Sequence, residues 1–177
     1  TNNLKLNIGD KAPEFRLNGV DGKTHSLDDF RSKKVLVIVF SCNHCPYVQA
    51  YEERMIDFQR AYAAKGVRLV AINSNEEKNY PEDGFDEMVK RAGERKFNFP
   101  YLRDADQSVA DAFGATHTPQ FFVFDQARTL RYSGKLYDNW KEPGDAREHY
   151  LRDAVDALLA GEPVKVAETH SIGCTIK

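Results

Sequence analysis

The chain has 177 residues, 41% hydrophobic and 11% aromatic, enough to bury one core and too few for two, so a single domain over residues 1–177 is expected. Lys and Arg total 25 against 27 Asp and Glu, a formal net charge of −2 with no long block of either sign, which argues against nucleic acid or a membrane surface as a partner. The longest apolar run, Val35 to Phe40, is far short of the roughly 18 residues that a membrane span needs. The polar start Thr1-Asn2-Asn3 has no signal-peptide h-region, so a cytoplasmic compartment is the expectation, while a first residue other than Met leaves an exported form, after removal of a signal, as the alternative.

No internal repeat or low-complexity stretch interrupts the chain, and its periodic segments alternate between strand and helix. The β-branched run Val35 to Phe40 predicts a strand covered on both faces. Tyr47, Tyr51, Met55, Phe58 and Tyr62 then recur at steps of three and four, one stripe of a long helix ending at Gly66. Val67 to Ile72 is the next strand, and strand–helix–strand in that order makes a right-handed crossover with the two strands parallel. Phe85, Met88, Val89 and Ala92 share one face of a helix, and Phe99 to Leu102 is a short extended piece. Asp106 is the expected cap of a helix carrying Val109, Ala110 and Phe113 and closed by Gly114. Gln120 to Phe124 and Thr129 to Tyr132 read as an antiparallel hairpin around Asp125 to Arg128. Tyr150, Leu151, Ala154, Val155, Leu158 and Leu159 form the stripe of a last helix, and 161–177 is a polar tail. The fold class is α/β with a mixed sheet.

Three cysteines exclude a scaffold built on several disulfides, yet two form Cys42-x-x-Cys45 at a strand-to-helix junction, where a redox site is expected. Two intervening residues in the first helical turn let the sulfurs bridge, and the helix N-terminus favours the thiolate of Cys42. Cys42 would attack a disulfide and Cys45 would resolve the mixed disulfide. His44, between them, is either a cation beside the Cys42 thiolate or a solvent-facing residue of the first turn. Cys174 is either an idle thiol on the tail or a third redox cysteine. A zinc site from Cys42, Cys45, His170 and Cys174 is the metal alternative, weakened because the pair opens a helix rather than a knuckle. The acids of Asp104 to Ser108 lack the glycine and distal glutamate of a calcium loop and suit a helix cap better. Pro119 before a strand is an edge-strand start or a cis bond, with trans the default.

Gly9 to Phe15, Cys42-Asn43-His44-Cys45-Pro46, Asn98-Phe99-Pro100, Thr118 to Asp125 and Ile172 to Lys177 together resemble the branch of the thioredoxin-fold superfamily that holds peroxiredoxins and cytochrome-maturation thiol reductases. Over nearly its whole length the chain is similar to the peroxiredoxin-like, AhpC/TSA-type group that keeps a thioredoxin-type Cys-x-x-Cys. The resemblance implies a thioredoxin-like fold with an N-terminal β extension, within residues 1–33, and a helix inserted after the second strand. It also implies a cis-Pro119 facing Cys42 and Cys45, with Thr118 where an extended substrate hydrogen-bonds.

The chain departs from its relatives at three positions. Peroxiredoxins place Thr or Ser where this chain has Cys42, and a proline where it has Ile38, which weakens peroxide chemistry. Thioredoxins carry a buried aspartate where this chain has Leu36, so the proton acceptor must come from elsewhere. Glu76 matches the acidic position of the cytochrome-maturation reductases, the alternative being a loop acid beside Glu77. The expected activity is thiol–disulfide exchange on a disulfide-bearing protein or small molecule, recycled by an external dithiol, with no cofactor and no metal. The alternatives are a thiol-dependent peroxidase and a zinc-binding or redox-sensing module.

Overall fold

In the computed structural model, which describes residues 6–136, 149–170 and 173–177, the chain begins with two short strands, β1 (Arg16–Gly19) and β2 (Thr24–Ser26). A tight helical turn, Leu27–Phe30, leads to β3 (Val35–Ser41), and Pro46–Tyr62 forms α1. One further turn, Ala63–Lys65, ends at Gly66, whose φ of 82° is left-handed and therefore suits glycine. β4 (Val67–Asn73), α2 (Phe85–Arg95), β5 (Tyr101–Arg103) and α3 (Ser108–Phe113) follow. Then come β6 (His117–Thr118), β7 (Gln120–Phe124), β8 (Leu130–Gly134), α4 (Tyr150–Leu159) and β9 (Cys174–Thr175). The resemblance to a C-terminal motif starts at Ile172, which lies outside the described residues.

Seven strands make one sheet in the order β2-β1-β5-β4-β3-β7-β8, with β6 and β9 paired apart from it. β3 runs parallel to β4 in the register Val35 to Val67, and β4 runs parallel to β5. β7 lies antiparallel to both β3 and β8, so the sheet is mixed. Side chains alternate across a strand, and β3 buries both sets. Val35, Val37 and Val39 meet Tyr51, Met55 and Phe58 of α1, Met88 of α2, and Leu151 and Val155 of α4. Leu36, Ile38 and Phe40 face Phe15, Phe30 and the α3 residues Val109, Ala110 and Phe113. A strand with no polar side is the one that such a doubly covered sheet requires at its centre.

Three details differ from the sequence reading. Val89 is 41% exposed, because α2 turns only Met88 fully inward. The N-terminus of α3 is held mainly by Asp104, which accepts the Val109 and Ala110 N–H groups, while Asp106 holds only that of Ser108. The hairpin's second strand starts at Leu130, after Arg128 takes a left-handed φ of 64°. Among the described residues, no helix is long and apolar enough to cross a membrane.

Candidate active site

The carboxyl ends of β3, β4 and β5 lie side by side, and the cysteine pair leaves the first of them. Pro46 occupies the first position of α1, where a missing N–H costs nothing, so Cys45 becomes the N-cap residue. The helix N-terminus therefore falls at Cys45 rather than at Cys42, one turn later than the sequence reading placed it. Both cysteines are buried, and they pack with Val48, Tyr47 and Cys174. Cys42 Sγ lies 3.4 Å from Thr118 Oγ1, and Cys45 Sγ lies 3.5 Å from the Thr118 carbonyl oxygen, to which its thiol donates when protonated. The Thr118–Pro119 bond is cis, as the resemblance implied and against the trans default.

The two thiols titrate as a unit. The hydrogen bond from Cys42 holds the Cys45 thiol down to about 4, aided by Cys174 and by the Val48 N–H at the helix start. Cys42 is pushed far up by the same shared bond, then by burial and by the negative charge of Asp83, with only the Thr118 hydroxyl pulling the other way. The pair therefore gives up its first proton readily, with the N-cap position of Cys45 favouring the charge there, and holds its second tightly.

Asp83 went unrecognised in the sequence. A short turn, Pro81–Asp83, carries it to full burial beside the pair. Its Oδ1 accepts the Asn43 N–H at 2.6 Å and the Asn73 amide at 3.2 Å; its Oδ2 accepts the Asn75 amide at 3.0 Å and contacts His44 Nδ1. Asn43 is fixed further by the Tyr101 hydroxyl at 2.9 Å and by the Glu82 carbonyl at 2.7 Å. Nothing in Glu82-Asp83-Gly84 distinguishes the middle residue from the other surface acids around it. His44 is not solvent-facing: it pairs with Asp83 and stacks on Tyr80 at 5.5 Å between ring centroids.

Glu76 is not brought to the sulfurs as an acceptor. Its carboxylate takes the Asn79 N–H at 3.0 Å, and that bond lowers its pKa at a half-buried position in the loop after β4. Its backbone N–H instead donates to the Lys177 main-chain oxygen at 3.0 Å. Cys174 does reach the pair: β9 lies antiparallel to β6, with Cys174 opposite Thr118. Burial, then the hydrogen bond to Cys45, pushes the Cys174 thiol up to about 11. His170 is exposed, and the four ligands of the zinc alternative are not gathered. Among the described residues, the group able to share an ion is Cys42, His44 and Asp83, within 4.8 Å of one another. Asp83 already accepts three amide or backbone N–H bonds there, so a metal would have to displace an ordered network.

A family model described as the AhpC/TSA family matches residues 8–133. The chain is 27% identical to the thiol-disulfide oxidoreductase ResA of Geobacillus thermodenitrificans over 151 residues, 84% of this chain and 79% of that protein. A conserved protein of Geobacillus kaustophilus superposes with a TM-score of 0.91 at 42% identity, covering 97% of this chain and 92% of that one. A thiol:disulfide interchange protein of the thioredoxin family from Chlorobium tepidum superposes at 0.67 and 20% identity, over 88% and 99% of the two chains. That likeness makes the fold thioredoxin-like.

Proposed function

The chain belongs to the AhpC/TSA family, and on that premise we propose that it is a thiol–disulfide oxidoreductase working through Cys42 and Cys45. The observation that carries this reading is the placement of both sulfurs at the start of α1 against Thr118 and cis-Pro119. Cys42 lies before the helix against the Thr118 hydroxyl, where an extended substrate would pair, while Cys45 caps α1; Cys42 is therefore assigned as the sulfur that meets the substrate.

In the resting pair the Cys42 thiol donates to the Cys45 thiolate. As Cys42 Sγ bonds to one substrate sulfur, the other substrate sulfur leaves as a thiolate and the Cys42 proton passes to Cys45. With Cys42 now in the mixed disulfide its hydrogen bond to Cys45 is lost, and the Val48 N–H at the start of α1 and the bonds from Cys174 are what still favour the Cys45 thiolate as it gives up that proton. Cys45 then attacks Cys42 Sγ, forms the Cys42–Cys45 disulfide and expels the second substrate thiolate. An external dithiol returns the pair to two thiols.

Reduction of a disulfide protein such as insulin, with dithiothreitol as donor, tests this. Cys42→Ser should abolish turnover, and Cys45→Ser should trap a mixed disulfide on Cys42. Full activity in Cys42→Ser would overturn the assignment. The ready ionisation of Cys45 favours peroxide attack as a second reading, since a thiolate at a helix start is what a peroxide oxidises to the sulfenic acid. Sustained dithiol-dependent peroxide consumption that survives Cys42→Ser would favour that peroxidase; its absence would leave disulfide exchange alone.

A further inference from the structure

Cys45 is a sulfur with two sulfur neighbours. It lies in one packed cluster with Cys42, and Cys174 packs against that cluster, while the three sulfurs do not all lie within 4.8 Å of one another. Thiol–disulfide exchange needs that order, an attacking sulfur and a leaving sulfur on different sides of the one being exchanged.

Cys174 is held in place from both directions. Its partner across β6 and β9 is Thr118, the residue that also contacts Cys42 and Cys45. Before it, Gly173 lies so close to the Thr118 carbonyl that no Cβ fits between them. After it, the Ile176 N–H donates to the Thr116 carbonyl at 2.9 Å, and the Lys177 N–H to Asn75 Oδ1 at 2.9 Å. The Lys177 main-chain oxygen accepts from Gln107 Nε2 at 2.6 Å and from the Glu76 N–H at 3.0 Å. A strand added to the edge beside the reactive sulfurs is the way an extended peptide binds such an edge, and here the chain supplies it from its own sequence.

We infer that Cys45 and Cys174 form a second disulfide, reached from the first by exchange within the chain; this rests on the oxidoreductase reading above. The Cys174 thiolate attacks Cys45 Sγ, the Cys45–Cys174 bond forms, and the Cys42–Cys45 bond breaks. Cys42 leaves as a thiolate and takes up the proton that Cys174 gave up. No electrons enter or leave, so the step needs no oxidant beyond the substrate disulfide that formed the first bond. Its product carries a free Cys42 thiol beneath a covalently fastened tail, so the β6 edge stays closed to an extended substrate until a dithiol opens the new bond.

The test is to equilibrate the wild-type chain and Cys42→Ser with oxidised glutathione, quench in acid, alkylate under denaturing conditions and map the peptides by mass spectrometry. Both arms should give a Cys45–Cys174 linked peptide, with Cys42 alkylated in the wild type. Cys174→Ser should instead give only the Cys42–Cys45 peptide, with Cys42 blocked. Cys174 fully alkylated in either of the first two arms, while the wild type still forms Cys42–Cys45, overturns the inference and leaves the oxidoreductase reading intact. Alkylation of all three cysteines in every arm would overturn both.

Discussion

A buried carboxylate beside a buried thiol is the main electrostatic feature of the site. Asp83 pushes Cys42 toward its protonated form, so Asp83→Asn should lower the second thiol ionisation, by about one unit for each ~1.4 kcal/mol of repulsion removed. Thiolate absorbance in the ultraviolet, followed to the alkaline limit of the folded protein, should show more thiolate in Asp83→Asn than in the wild type and needs no access to the sulfurs. The same variant loses charge-assisted bonds from Asn43, Asn73 and Asn75, at a cost to stability of about 1–3 kcal/mol. The first ionisation of the pair has the opposite sign. The Cys45 thiol lies below its ordinary range, so one thiolate should persist through neutral pH and disappear only as pH falls through about 4. In Cys45→Ser the ionisable partner is gone, and the two remaining thiols, Cys42 under burial and Asp83 and Cys174 under burial, should both titrate on the alkaline side. An acid-side inflection that survived Cys45→Ser would assign the thiolate to another sulfur. Cys42 and Cys45 were legible because spacing within one helical turn is local information. Asp83 was not, since its burial depends on where the loop after β4 returns, and a sequence acid at Glu76 looked equally placed.

At the scale of single elements, the strand β9 has most to do with access. Both site cysteines are buried, and the edge beside them is occupied by β9. Gly173→Ala would place a methyl group against the Thr118 carbonyl, and relief requires the strap to move. Overpacking of this kind costs about 1–3 kcal/mol, which corresponds to about 5- to 150-fold more time open. Modification of Cys42 by a small disulfide reagent should accelerate accordingly, with the thermal midpoint lowered by only about 2–4 °C per kcal/mol; an unaltered rate would mean that β9 does not limit access. The helices and long strands were readable from periodicity, as the agreement of Val35–Ser41, Pro46–Tyr62 and Tyr150–Leu159 with their apolar stripes shows. A two-residue strand has no period. β9 was read as a polar tail because its pairing with β6 is set by Gly173 and Asn75, not by any pattern within the segment.

Over the whole molecule, the doubly covered sheet explains why the α/β class followed from the sequence while the strand order did not. Val35 to Phe40 announces a central strand by being apolar on both faces, whereas β1 joining at β5 depends on pairings at Asn18 and Gly19 that no apolar pattern marks. The stripe of α1 also contains a charge that periodicity read past. Glu52 is 1% exposed on the inner side of the helix, where Arg91 of α2 grips it with both Nε and a terminal nitrogen and Arg95 approaches to 4.0 Å. This pair ties α1, which carries the cysteines, to the helix inserted before β5. Removing one partner leaves a carboxylate uncompensated in the core, so Arg91→Met should destabilise the fold by about 3 kcal/mol, toward the low end for buried pairs because Arg95 stands by. Glu52→Met combined with Arg91→Met removes both charges at similar volume and should recover most of that loss. Urea midpoints of the two single variants and the double variant decide it. If the double variant is as unstable as Arg91→Met alone, the pair contributes through packing of the arginine stem over α1, and the charge on Glu52 is incidental.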